Sequence, residues 1–113
     1  MVERMPIPKY THQQWAVFNT LLNGGELWGR DLRAALKKDG YGSTNASFYE
    51  LMERLETAGL VEGRHEERDV LGQLFRERKY KLTGLGEQAW NDVASYYAKR
   101  IGSARFGLGV EGG

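Results

Sequence analysis

The stretch from Ser43 to Leu60, STNASFYELMERLETAGL, constrains the fold of this chain more than any other. Phe48, Leu51, Met52 and Leu55 fall at i, i+3, i+4 and i+7, which sets four apolar side chains on one helix face and makes it a core face. Ser43, Thr44 and Asn45 supply candidate N-caps ahead of the run, and Gly59 stands where a left-handed C-terminal cap belongs. The opposite side opens with short hydrogen-bonding residues, Asn45 and Ser47, flanked by Tyr49. Small polar groups and unpaired N–H groups at a helix N-terminus suit a phosphate backbone or the edges of bases.

Two further helices are expected before this one. Trp15, Phe18, Leu21 and Leu22 form a stripe that starts near Thr11 and ends at Asn23-Gly24-Gly25. A second helix runs from about Glu26–Gly29 to Lys38, with Leu32 and Leu36 inward and Lys37 and Lys38 set against the negative end of the helix dipole. Asp39-Gly40-Tyr41-Gly42 is the turn into the third helix, as in a helix-turn-helix unit.

After Gly59 the period changes. Leu60 to Arg64 and Lys79 to Leu82 read as strands of a hairpin, with Tyr80 and Leu82 inward and Lys79 and Lys81 outward. Its loop is expected over Glu67 to Arg76, turning at Gly72. Thr83 then caps a last helix with the stripe Leu85, Ala89, Trp90, Val93, Tyr97 and Ile101. The resulting division is an extended lead-in over 1–10, one domain over 11–101 whose final helix is 83–101, and a flexible glycine-rich tail over 102–113. The fold class is mainly α with a small β-hairpin. Three helices, a two-stranded wing and a further helix make the winged helix-turn-helix plan.

Composition narrows the function classes. The absence of cysteine excludes disulfides and thiol chemistry, and two distant histidines, His12 and His65, define no metal site, so no cofactor is expected. The chain has no apolar run long enough for a membrane span and no secretory leader, so a cytoplasmic protein is expected. Neither histidine has a serine, cysteine or paired acid at a motif spacing, and the chain reads as a non-enzyme. Sixteen basic against fifteen acidic residues give a formal charge of +1, so any nucleic-acid site must come from local charge placement.

The candidate contacts follow from that. Arg76, Arg78, Lys79 and Lys81 place four cations within six residues of the wing, and Arg64 and Arg68 on the other strand are expected to add to the same patch. An edge strand charged against sheet-to-sheet association is the structural alternative. Ser43, Thr44, Asn45, Ser47 and Tyr49 are candidate phosphate contacts at the start of the third helix, although at least one of them must be an ordinary cap. Glu50 and Glu53, on the side away from the core stripe, either accept from cytosine or mark a surface that avoids DNA. The aromatic residues of the outer helices, Trp15, Phe18, Trp90, Tyr96 and Tyr97, together with Val93, exceed what a core this small is expected to hide and read as a two-fold dimer face, the alternative being that most of them, Phe18 and Trp90 first, fill the core of the monomer.

In this sequence Leu27-Trp28-Gly29 with Asp31-Leu32, Ser47-Phe48-Tyr49 with Leu51, Arg54-Leu55 and Ala58-Gly59-Leu60, and Arg78-Lys79-Tyr80-Lys81-Leu82-Thr83 followed by Gly86 form a recognisable set. Over about residues 12–100 the chain resembles the PadR-like winged helix-turn-helix transcriptional regulators, in the subgroup with a short C-terminal region. The resemblance implies a homodimer that binds a palindromic operator in double-stranded DNA, as a repressor, with Arg54 joining the contacts of the third helix. It also implies a flat hydrophobic effector between the subunits, for which Trp15, Trp90 and Tyr97 are the candidate stacking residues. The wing tip, Val70 to Phe75, is more apolar than that pattern calls for. A winged-helix module that binds another protein, without specific DNA recognition, is the alternative.

Overall fold

Thr11 starts the first helix, α1 (His12–Gly24), through a reciprocal cap. Its hydroxyl accepts from the Gln14 N–H at 3.1 Å, while the Gln14 side chain accepts from the Thr11 N–H at 3.0 Å. Val17, Phe18 and Leu21 are buried, and because the inward face centres on them, Leu22 turns out to solvent. The computed structural model describes residues 10–107, so the lead-in lies outside the described residues except for Tyr10, whose ring meets Phe18 edge-on at 5.3 Å.

Leu27 and Trp28 are not the start of the second helix but a two-residue strand, β1, followed by α2 (Gly29–Lys38). Backbone pairing to a distant strand overrides the local pattern here: Leu27 pairs with Tyr80 and Trp28 with Lys79. The third helix, α3 (Asn45–Thr57), takes Thr44 as its cap, whose hydroxyl accepts from the Ser47 N–H at 3.0 Å. It buries the expected stripe of Phe48, Leu51, Met52 and Leu55. Gly59, at φ +78, closes it: the Gly59 N–H donates to the Glu56 carbonyl and the Leu60 N–H to the Leu55 carbonyl, each at 2.9 Å.

The wing is longer and tighter than expected. Strands β2 (Val61–Val70) and β3 (Gln73–Leu82) pair in unbroken register from Val61 with Leu82 to Val70 with Gln73. What was expected as a ten-residue loop over Glu67 to Arg76 is therefore strand, and only Leu71 and Gly72 turn, both with positive φ. Turns with positive φ at both positions match the twist of the paired strands, so they extend a ladder where an open loop would splay it. The sheet has three antiparallel strands in the order β1-β3-β2, with β1 as the strand the sequence reading lacked.

Thr83 leads into α4 (Gly84–Gly107), accepting from the Gly86 N–H at 3.0 Å and donating to the Gly59 carbonyl at 2.6 Å. Gly86 is buried against the backbone of Leu60, and Ala89 and Val93 continue that close packing toward α1. These small residues set the buried line of α4, so Leu85, Tyr97 and Ile101 face outward. The backbone stays helical as far as Gly107 where a flexible tail was expected from Gly102; residues 108–113 lie outside the described residues. The core joins all four helices to the sheet through Phe18, Leu21, Leu32, Leu36, Phe48, Met52, Leu55, Val61, Tyr80 and Ala89. Each large member contributes about 1.5–3 kcal/mol on burial.

A Cβ at position 86 would collide with the Leu60 carbonyl and stand 2.8 Å from Leu82. Gly86→Ala should therefore destabilise the fold by about 1–3 kcal/mol, measured as a lower thermal midpoint by circular dichroism. Burial raises the Tyr80 phenol above its ordinary value. Its neutral form is thus favoured in the folded state, and the stability this contributes is present below the unfolded pKa of about 10 and is lost as pH rises through the folded one. Urea midpoints should fall above about pH 10, and Tyr80→Phe should flatten that fall.

Candidate nucleic-acid interface

Alternation along the wing decides which cations act together. Residues paired across β2 and β3 share a face, so Gly63 and Tyr80, His65 and Arg78, and Glu67 and Arg76 point one way, while Glu62 and Lys81, Arg64 and Lys79, and Glu66 and Glu77 point the other. The expected single basic patch is consequently split, and its two halves have different chemistry.

On the face away from the core, every cation expected to meet DNA is engaged by an acid. Arg64 contacts Glu26 at 2.6 Å and Glu66 at 2.8 Å, Lys79 contacts Glu66 at 3.2 Å, and Lys81 lies 3.8 Å from Glu62. Arg68 contacts Glu77 at 3.3 Å and Asp31 at 3.4 Å. Arg68 and Lys79 also lie over the Trp28 indole, 5.2 and 4.7 Å from its centroid. The Arg64 and Lys79 hydrogen bonds hold the Glu66 carboxylate below its usual range, and the hydrogen bond to Glu66 raises Arg64. Arg64, Arg68, Lys79 and Lys81 thus form an ion-paired ladder that ties β1 and α2 to the wing.

A groove between α2, the start of α3 and β3 takes side chains from both faces of the wing, since Phe75 and Glu77 alternate with Arg76 and Arg78 along the strand. Arg30, Arg33, Asn45, Tyr49, His65, Phe75, Arg76, Glu77 and Arg78 line it. Arg78 is held by an ion pair with Glu56 of α3 and stands 3.2 Å from His65 Nε2. Burial works against its charge, but the hydrogen bonds and charges of Glu56 and Tyr80 together raise the guanidinium above its ordinary value. Gly63 makes the pair possible, because a Cβ there would overlap the Glu56 carboxylate and stand 2.7 Å from Arg78. Arg76, one pair further out, has no acidic partner among the described residues. Arg33 donates to the Ser43 carbonyl at 3.0 Å, which pins the loop ahead of α3, and Arg30 is largely exposed, 3.6 Å from Glu77.

Sequence reasoning missed Arg30 and Arg33. With Lys37 they recur at i, i+3 and i+7, one face of α2, and these three line a second hollow with Ala34, Gly42 and Ser43. That spacing was readable as a basic stripe. Of the α3 candidates, Asn45 and Tyr49 reach the groove, Thr44 is occupied as the cap, and Ser47 is exposed on the first turn. Arg54 stands with Glu50, Glu53 and Thr57 around a separate hollow, because those positions lie on another side of the helix from Asn45 and Tyr49. Glu50 and Glu53 thus do not enter the groove.

The proposed dimer and ligand residues divide likewise. Phe18 is 0% and Val93 3% exposed, so both side chains are buried within the chain's own fold. Trp15 and Trp90 are half-buried and stacked, 6.5 Å apart and 8° from parallel, with the Trp90 indole N–H donating to Asn19 at 3.1 Å. Tyr96 is half-buried under Arg100, 3.9 Å from its ring centroid, and Tyr97 is exposed.

No family model and no curated protein matches the sequence. Solved structures do. The chain aligns with NadR in complex with 4-hydroxyphenylacetate at 25% identity and a TM-score of 0.64, over 89% of this chain and 65% of that one. A PadR-like transcriptional regulator from Bacillus cereus aligns at 20% identity and a TM-score of 0.64, over 87% of this chain and 92% of that one. The chain has the fold of the PadR-family transcription regulators. Bacillus subtilis PadR in complex with operator DNA aligns at 23% identity and a TM-score of 0.57, over 70% of this chain and 44% of that one. The chain therefore spans just under two thirds of NadR and less than half of Bacillus subtilis PadR. The groove described above lies between α2, the start of α3 and the wing. No helix among the described residues is long and apolar enough to cross a membrane, and no acidic or histidine cluster there would hold a metal ion.

Gly63→Ala should displace Glu56 from Arg78 while leaving the hairpin register intact. The expected readout is a stability loss of about 1 kcal/mol, with an unchanged hydrogen-exchange pattern across β2 and β3 apart from the residues next to position 63.

Proposed function

We propose that this chain is a DNA-binding transcriptional regulator that takes the phosphate backbone into the groove between α2, the start of α3 and the wing. The observation that carries the reading is the convergence of Arg30 and Arg33 from α2 with Arg76 and Arg78 from the wing around the exposed first turn of α3. Cations positioned on both sides of a helix N-terminus fix register on a duplex, while Asn45, Ser47 and Tyr49 are left to meet base edges and sugars. The fold shared with a regulator solved on operator DNA supports the same reading.

The finer parts of the proposal rest on α1 and α4. Leu85, Tyr97 and Ile101 leave an apolar line on the outside of α4, which a second copy would cover to make a homodimer. Two-fold symmetry then calls for a palindromic operator with half-sites about one helical turn apart, bound as a repressor. Trp15 Nε1 is buried without a hydrogen-bond partner among the described residues, next to the stacked Trp90 ring. A flat hydrophobic effector bearing an acceptor would satisfy it; NadR, solved with 4-hydroxyphenylacetate, supports an effector of that kind.

The test is fluorescence anisotropy against a pool of labelled duplexes at several salt concentrations. Arg33→Ala and Arg76→Ala should each weaken binding and lower the slope of log K against log salt by about one. Lys81→Ala, whose cation is already paired with Glu62, should change the slope far less. Absence of salt-dependent binding by a folded protein would overturn the reading.

A further inference from the structure

We infer that the tip of the wing is an apolar wedge that enters the minor groove of bound DNA and opens a base step, an inference that rests on the DNA-binding reading above. Leu71 is fully exposed, at 101%, and adopts φ +55. Turns with positive φ at both central positions draw Asn, Asp and Gly, because a Cβ crowds the backbone there. Leucine is thus doubly unfavourable at this point, strained in its backbone and bare in water. The turn is held by Asp69, whose carboxylate accepts from the Gly72 N–H at 2.8 Å, so the strained residue is presented on a fixed tip. Leu74 and Phe75 are also exposed, at 62% and 39%.

The surroundings identify the occupant. Phe75 lines the same groove as Arg30, Asn45 and Arg76, and Leu74 shares its strand face with Arg76 and Arg78. The apolar tip is therefore continuous with the cationic groove and flanked by Arg76, the wing cation that has no acidic partner among the described residues. Reach agrees. From Tyr80, where Phe48 of α3 packs, the wing runs to Gln73, a span of about 23 Å at the usual rise of a strand. Neighbouring major and minor grooves are centred half a helical turn apart, about 17 Å. With the start of α3 in the major groove, the tip crosses the intervening backbone and arrives at the minor groove. Leucine and phenylalanine inserted there unstack a step and kink the duplex.

The experiment compares the wild type with Leu71→Asn and with the double variant Leu71→Asn, Leu74→Ser. Asparagine tolerates positive φ, so the fold is retained and the thermal midpoint should hold or rise. Bending is read by energy transfer between the ends of a labelled duplex, unstacking by the fluorescence of 2-aminopurine at the step, and self-association by sedimentation. The expected result is a wild type that bends its duplex and variants that bind about ten-fold more weakly, with the salt slope unchanged and the bend lost. A wild type that binds with normal salt dependence but leaves the duplex straight, or variants that bend it as the wild type does, would overturn the wedge and leave the regulator reading standing. Loss of self-association in the variants, with bending unaffected, would assign the tip to a second copy and overturn the inference. A wild type that binds no duplex at all would remove both.

Discussion

Tyr80 is 1% exposed and touches each part of the fold that the groove requires. Its backbone pairs with Leu27 on one side and Gly63 on the other, and its ring meets Phe48 of α3 edge-on at 6.4 Å. A β3 strand slipped by one residue would send this ring to solvent and exchange the two faces of β3. Arg76 and Arg78 would then turn toward the ion-pair ladder and leave the groove. Burying one aromatic ring thus determines which cations are presented, and Gly63 leaves the room beside it that Glu56 and Arg78 fill.

The same arrangement explains how a chain with a formal charge of +1 can carry a cationic groove. Charge is sorted by ion pairing. Four of the wing's basic residues are spent against Glu26, Asp31, Glu62, Glu66 and Glu77, where they join β1, α2 and the wing through charge pairs and the Trp28 ring. What remains toward α3 is a smaller set, Arg30, Arg33, Arg76 and Arg78, concentrated around a helix N-terminus. A field confined to one groove steers a polyanion without making the whole surface adhesive. Glu56 anchors Arg78 within that set, so part of the groove's charge is held in place by the helix it serves.

Much of the architecture was readable because it is periodic. The buried stripe of α3, a cap for it among Ser43, Thr44 and Asn45, the cap at Thr83 and the left-handed Gly59 all follow from spacing and residue type, and the structure keeps each of them. What was misread lacked a local signal. Two residues, Leu27 and Trp28, are too few to show a strand's alternation, and only their distant partner makes them one. The hairpin turn was mistaken for a long loop because Leu71 stands where Asn or Gly would have announced it. Leu85, Tyr97 and Ile101 share the apolar stripe of the last helix with Ala89 and Val93 in sequence, yet they face outward because the small residues Gly86 and Ala89, and not the large ones, take the contact with the rest of the domain.

The sequence by itself determined the order and kind of the helices, the presence of a wing and the exclusion of cysteine chemistry, since these depend on residues close together in the chain. The tertiary structure alone decided which cations are available. Arg78 and Glu56 are 22 residues apart, and Arg68 reaches Asp31 across still more of the chain. Ion pairing falls off within a few ångströms, so it is a property of where the chain returns on itself, and no local pattern records it.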